Sequence, residues 1–120
     1  GFLATFNTPV SVTDHETAAL AAAKDLVIVA KTHGFDVRIG IASGDLVTGI
    51  IGNETRQSFT VYGDAVNLAS RLEGLGKDLK SSILLDKATG VVAGDVVELT
   101  RLGAHPIRGV DGQIEVFAAS

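Results

Sequence analysis

Residues 59–72 read Phe59-Thr60-Val61-Tyr62-Gly63-Asp64-Ala65-Val66-Asn67-Leu68-Ala69-Ser70-Arg71-Leu72. They form a short β-branched strand, a glycine break, and a helix opening at Asp64. On that helix Asn67 and Arg71 are four positions apart, so they project from one face, one turn above the other. Ala65, Leu68, Ala69 and Leu72 make the opposite stripe, which predicts packing on a sheet. A neutral hydrogen bonder and a permanent cation, stacked on a rigid helix just after a strand, suit a phosphate-bearing ligand. They also suit the wet side of any amphipathic helix. The stretch alone leaves both readings open.

The bulk of the sequence narrows the classes. At 120 residues it is one domain, or part of one, with room for a single modest core. Apolar residues at 46% and charged residues at 20% indicate a globular chain rather than a disordered one. A formal net charge of −4 argues against a nucleic-acid surface, which needs a basic excess or stripe. There is no Cys, hence no disulfide, thiolate nucleophile or cysteine metal site. No apolar run approaches the length of a membrane span, so no membrane contact is expected from this segment, and a cytoplasmic location is expected. The chain has 14 Gly, many inside apolar runs, which suggests backbone brought close to another backbone or a ligand.

Upstream of the central stretch, Gly1-Phe2-Leu3-Ala4-Thr5-Phe6 reads as a strand already under way, so the fold is expected to begin before Gly1. Thr13-Asp14-His15-Glu16 resembles a capping box, and the helix it opens is expected to stop at Gly34. Leu20, Ala23, Val27 and Ala30 form one apolar stripe of that helix, and Ala19, Ala22, Leu26 and Val29 a second. Ile28, between Lys24 and Lys31, is a candidate partner contact. Next, 36–42 and 47–51 are expected to pair as a hairpin around Gly44-Asp45, with Gly40 opposite Gly49. In that register Val37, Ile39, Ile41, Thr48 and Ile50 face the helices. Arg38, Gly40, Ala42, Val47, Gly49 and Ile51 form a flat second face. Such a face suits a ligand or second subunit, or simply a close crossing of strands.

Downstream, the central helix is expected to end near Leu75-Gly76, and 82–86 to form a short buried strand whose Asp86 caps a helical turn through Val92. Strands are expected at 95–99, 105–110 and 114–117, with Pro106 marking an edge or irregular strand and a turn at Asp111-Gly112. The order predicts an α+β, ferredoxin-like sandwich, a mostly antiparallel sheet with helices on one face. His15, His33 and His105 lack metal-ligand spacing, and there is no GxSxG elbow, no Walker-type loop and no evident acid–base pair. Asn53-Glu54-Thr55 matches a glycosylation acceptor, but nothing else indicates secretion.

Taken together, the residues resemble the catalytic domain of class III nucleotidyl cyclases, the adenylyl and guanylyl cyclases, over essentially the whole chain. The resemblance is carried by Val37-Arg38-Ile39-Gly40-Ile41-Ala42-Ser43-Gly44, by Gly49-Ile50-Ile51-Gly52, and above all by Gly63, Val66-Asn67, Ala69 and Arg71-Leu72. Leu102-Gly103 through Ile107-Arg108-Gly109 and Val116-Phe117 resemble the closing strands. Residues 1–120 would then be the C-terminal part of one such domain.

The resemblance implies conversion of a nucleoside triphosphate to its 3′,5′-cyclic monophosphate and pyrophosphate, with two metal ions, Mg or Mn, at the reacting oxygens. By motif position Asn67 would orient the ribose, and Arg71 would stabilise charge on the α-phosphate in the transition state. Arg108 falls where a basic residue binds the triphosphate, and Arg38 where a second arginine approaches the outer phosphates from the metal-bearing subunit. For both arginines the alternative is a solvated strand-end charge. Thr60, with Val61 beside it, corresponds to the base-selecting position, and its hydroxyl both donates and accepts, which favours ATP over GTP without excluding either. The family's two metal-binding aspartates and its adenine-reading lysine are expected upstream of Gly1, so the fragment by itself is expected to be inactive. The implied assembly is a head-to-tail homodimer with a shared site. The competing readings are a non-catalytic cyclase-like regulatory or dimerisation module, and a guanylyl cyclase.

Overall fold

A computed structural model describes residues 4, 6, 14–44, 47–53, 56–62, 64–94, 98–107 and 112–119. Its elements are α1 (His15–Thr32), β1 (Ile39–Ile41), β2 (Val47–Asn53), β3 (Arg56–Tyr62), α2 (Asp64–Asp78), β4 (Ile83–Asp86), α3 (Lys87–Ala93), β5 (Leu99–Pro106) and β6 (Gln113–Ala119). The expected strand-to-helix switch is present as β3 followed by α2.

Helix α1 stops where the sequence says it must. Gly34 adopts φ 82, and the Phe35 N–H donates to the Ala30 carbonyl at 2.8 Å while the Gly34 N–H donates to Lys31 at 3.0 Å. That pair of bonds is the Schellman stop, and glycine takes the left-handed position without a Cβ penalty. The start differs from expectation. Asp14 makes no side-chain cap bond, Glu16 lies 3.1 Å from His15 Nε2 instead, and Thr13 is outside the described residues.

Helix α2 runs past Gly76 to Asp78, so the expected end was early. Leu75 and Leu79 still pack on the core, and Lys80 at φ 53 takes the left-handed cap, with the Ser81 N–H on the Gly76 carbonyl at 3.0 Å. Burial of the last leucines outweighs the roughly 1 kcal/mol that a helical glycine costs.

Four strands form one sheet in the order β1-β4-β6-β5, with β1 parallel to β4 and the other two pairings antiparallel; β2 and β3 form a separate antiparallel pair. The hairpin expected between 36–42 and 47–51 is therefore replaced. Gly40 lies opposite Leu84, and Gly49 lies opposite Thr60. The loop signal at Gly44-Asp45 was local, whereas β1 gains a fully buried partner in β4. Residues 99–106 form one continuous edge strand with an irregularity between Arg101 and Gly103, ending at Pro106. Proline at the end of an edge strand leaves no ladder bond unmade.

The α+β, ferredoxin-like class holds, but the helices, expected on one face, divide between both faces of the four-stranded sheet, because alternate strand residues are apolar on each side. Leu20 and Ala23 of α1 and Ala93 of α3 pack with Ile83, Leu85 and Ala119, joined by Ile39, Ile41 and Phe117. Leu72, Leu68, Leu75 and Leu79 of α2 pack with Leu84, Val116, Ala42 and Ala118. Alternate residues along each strand enter opposite cores, as the two-residue period requires. This is why β4 is buried at all four positions. Only the first apolar stripe of α1 meets the sheet. Leu26, Val29 and Ile28 stay exposed, since one helix offers a sheet a single stripe.

Leu84 is wholly buried under α2. Leu84→Ala is expected to destabilise the fold by about 2–5 kcal/mol through lost transfer energy and a residual cavity. A denaturation midpoint equal to the parent's would contradict this placement.

Candidate active site

The site is built on the outer face of α2. Ala65 and Leu72 are buried and Leu68 is half-buried, which fixes the helix rotation and leaves Asn67 and Arg71 exposed one turn apart. Arg71 lines a shallow cleft of about 160 Å³ with Gly74, Leu75 and Asp78 of α2, with Pro106 at the end of β5 and with Ile107 just after it. Ligand pockets commonly enclose about 300–1,000 Å³, so this cleft suits part of a nucleotide-sized ligand. Among the described residues Arg71 has no carboxylate within 4.0 Å. Asp78, two turns along from Arg71, shares the cleft, and helical period would have found it.

The remaining expected residues spread around this face. Thr60 and Val61 sit near the end of β3, opposite Gly49 and Thr48, just ahead of α2. Arg108 follows the buried Ile107 of the cleft, and lies outside the described residues. Arg38 precedes β1, at the other end of the strand order from β5, and its methylenes run beneath α2, with Cδ 3.4 Å from where a Gly76 Cβ would be. The structure thus groups Asn67 and Arg71 on α2, and does not bring Arg38 into the Arg71 cleft. Nor is the face carrying Gly40 and Ala42 open, as the flat-face reading expected. It is covered by α2.

A buried polar cluster joins Ser43, just after β1, to the start of α3. Asp86 caps α3 by accepting the Thr89 N–H at 3.0 Å and the Thr89 hydroxyl at 2.6 Å, and its other oxygen accepts the Ser43 N–H at 3.3 Å. Because the Thr89 proton goes to Asp86, Ser43 Oγ donates to Thr89 Oγ1 across 2.7 Å. The cap at Asp86 was visible in the sequence, but the Thr89 hydroxyl bond and the link to Ser43 were not. No three His, Cys, Asp or Glu side chains among the described residues are grouped to hold a metal ion. No helix among them is long and apolar enough to cross a membrane.

Comparison with known proteins gives a consistent result. The family model described as "Adenylate and Guanylate cyclase catalytic domain" matches residues 9–119. Adenylate cyclase 1 of Rhizobium meliloti is 36% identical over 83 residues, 69% of this chain and 12% of that protein. An adenylate cyclase of Anabaena cylindrica is 48% identical over 52 residues, 43% of this chain and 10% of that protein. The chain thus spans about a tenth of the length of these curated relatives. The guanylate cyclase domain of RhGC from Catenaria anguillulae, solved in complex with GTP, superposes with a TM-score of 0.80 at 25% identity, covering 96% of this chain and 64% of that one. A match that takes in nearly the whole chain makes it a member of the adenylate and guanylate cyclase catalytic domain family.

Proposed function

We propose that this chain supplies the nucleotide-positioning and transition-state part of an adenylyl cyclase. The ribose 3′-oxygen of ATP attacks the α-phosphorus, the bond to the β-phosphate bridging oxygen breaks, and the 3′-hydroxyl proton is released with pyrophosphate and 3′,5′-cyclic AMP as products. The observation that carries the reading is the pair Asn67 and Arg71, exposed one turn apart on a helix whose opposite side packs on the sheet.

In this reading Asn67 hydrogen-bonds the ribose and holds the 3′-oxygen in line with the phosphorus. Arg71 meets the non-bridging α-phosphate oxygens, where negative charge grows as the new bond forms. A guanidinium suits that task because it stays charged at any working pH and offers planar donors that need no reorganisation. Arg108 would hold the outer phosphates, and Thr60, with Val61, would contact the base. The described residues do not fit a metal site. Two divalent ions, Mg or Mn, would take their ligands from other residues, and the contribution of α2 is to bind and orient. The shallow cleft supports a site completed by a second copy in a head-to-tail homodimer, with Arg38 serving the partner's site.

Incubating the full-length protein with ATP or GTP and a divalent ion tests the reading. Cyclic AMP and pyrophosphate in equal amounts, with ATP preferred, are expected. A preference for GTP would transfer the assignment to guanylyl cyclase, and no product from either would leave the regulatory module.

A further inference from the structure

Helix α2 lies directly against β1 at Gly40. A Cβ there would lie 2.0 Å from the Ala69 carbonyl oxygen, 2.5 Å from the Glu73 amide nitrogen and 2.9 Å from Leu72 Cβ. Two of these three atoms are helix backbone, so no change of rotamer relieves the contact. Ala69 and Glu73 lie two residues on either side of Arg71, so Gly40 bears on the turn of α2 that carries the arginine. Lesser contacts flank β1 on either side: a Cβ at Gly44 would meet Ala65 Cβ at 3.2 Å, and Gly76 of α2 stands over the Arg38 stem. Strand β1 itself has little freedom to yield. It is paired to β4, and Ile39 and Ile41 are packed into the core beneath α1.

We infer that Gly40 is a positioning residue for Arg71: the missing side chain sets how deeply α2 seats on β1, and hence where the guanidinium stands over Pro106 and Ile107. The inference rests on the reading in which Arg71 meets the α-phosphate. With Ala at this position, the contact to the Ala69 oxygen must open from 2.0 Å to at least 3.0 Å, and the helix must rise by that difference. Displacements of this size cost oriented reactions about 10²-fold.

The test compares Gly40→Ala, Arg71→Ala and the double variant in the full-length protein. Gly40→Ala should lower kcat by about 10²-fold while the KM for ATP changes less than about threefold, because the lost contact is made in the transition state. If the glycine acts through Arg71, the double variant should be no slower than Arg71→Ala by more than about twofold. Multiplying effects, or an unchanged kcat in Gly40→Ala, would overturn the inference. Should Gly40→Ala fail to fold, the milder Gly44→Ala must show the same non-additivity with a smaller loss, and independent effects there would equally overturn it. A full rate in Arg71→Ala alone would remove the role given to Arg71. The positioning claim then stands or falls on a crystal structure of Gly40→Ala, where an α2 that has not risen from β1 would refute it.

Discussion

Replacing Arg71 with Ala is expected to lower turnover of the full-length protein about 10²–10³-fold, the usual loss for one preorganised donor to a developing oxyanion. Folding should be almost unaffected. Arg71 is exposed, has no carboxylate partner among the described residues, and lies off the stripe by which α2 packs. Surface substitutions of that kind usually stay within about 0.5 kcal/mol. Arg71→Lys is expected to recover little, since a compact ammonium keeps the charge but not the planar fork. Steady-state rates and a denaturation curve for both variants check this. A normal turnover in Arg71→Ala would remove the assigned role, and a falling midpoint alongside the rate would make the arginine a structural residue.

The helix face that carries Asn67 and Arg71 was legible because it is local. Asn67, Arg71 and the apolar stripe behind them follow from the helical period alone, and the packing of Leu68 and Leu72 matches it. Asp86 was legible as a cap for the same reason, its partner Thr89 being three residues away. The strand partners were not. Gly44-Asp45 has the composition of a two-residue turn, yet β1 pairs in parallel with β4 more than forty residues on, a choice that only the whole core decides. The glycines were ambiguous in the same way. Gly40 suggested an open face and Gly76 a helix stop, but each admits a neighbouring backbone or the Arg38 stem. A missing side chain announces close approach without saying what approaches.

Removal of the Asp86 carboxylate carries the largest expected loss of stability outside the apolar core. Asp86 is 5% exposed and Thr89 is fully buried, and together they tie Ser43, two residues past β1, to the start of α3. Asp86→Ala removes an N-cap bond worth about 1 kcal/mol. It also takes the charged acceptor away from the buried Thr89 hydroxyl, at about 1–3 kcal/mol. A total near 3 kcal/mol follows, and Asp86→Asn should fall between, since its oxygen can still cap Thr89 while its amide faces the Ser43 N–H donor to donor. The distinguishing variant is Asp86→Ala with Thr89→Val. Deleting that hydroxyl should make the pair more stable than Asp86→Ala alone, a reversal that simple loss of contacts does not produce. Because the Gly44 backbone lies against Ala65 at the start of α2, slackening at Ser43 should also speed amide exchange in the turn that carries Asn67. An Asp86→Ala protein as stable as its parent would mean that the cost of burying the carboxylate offsets all its hydrogen bonds, and the cluster would then hold the geometry of β1 and α3 without adding stability.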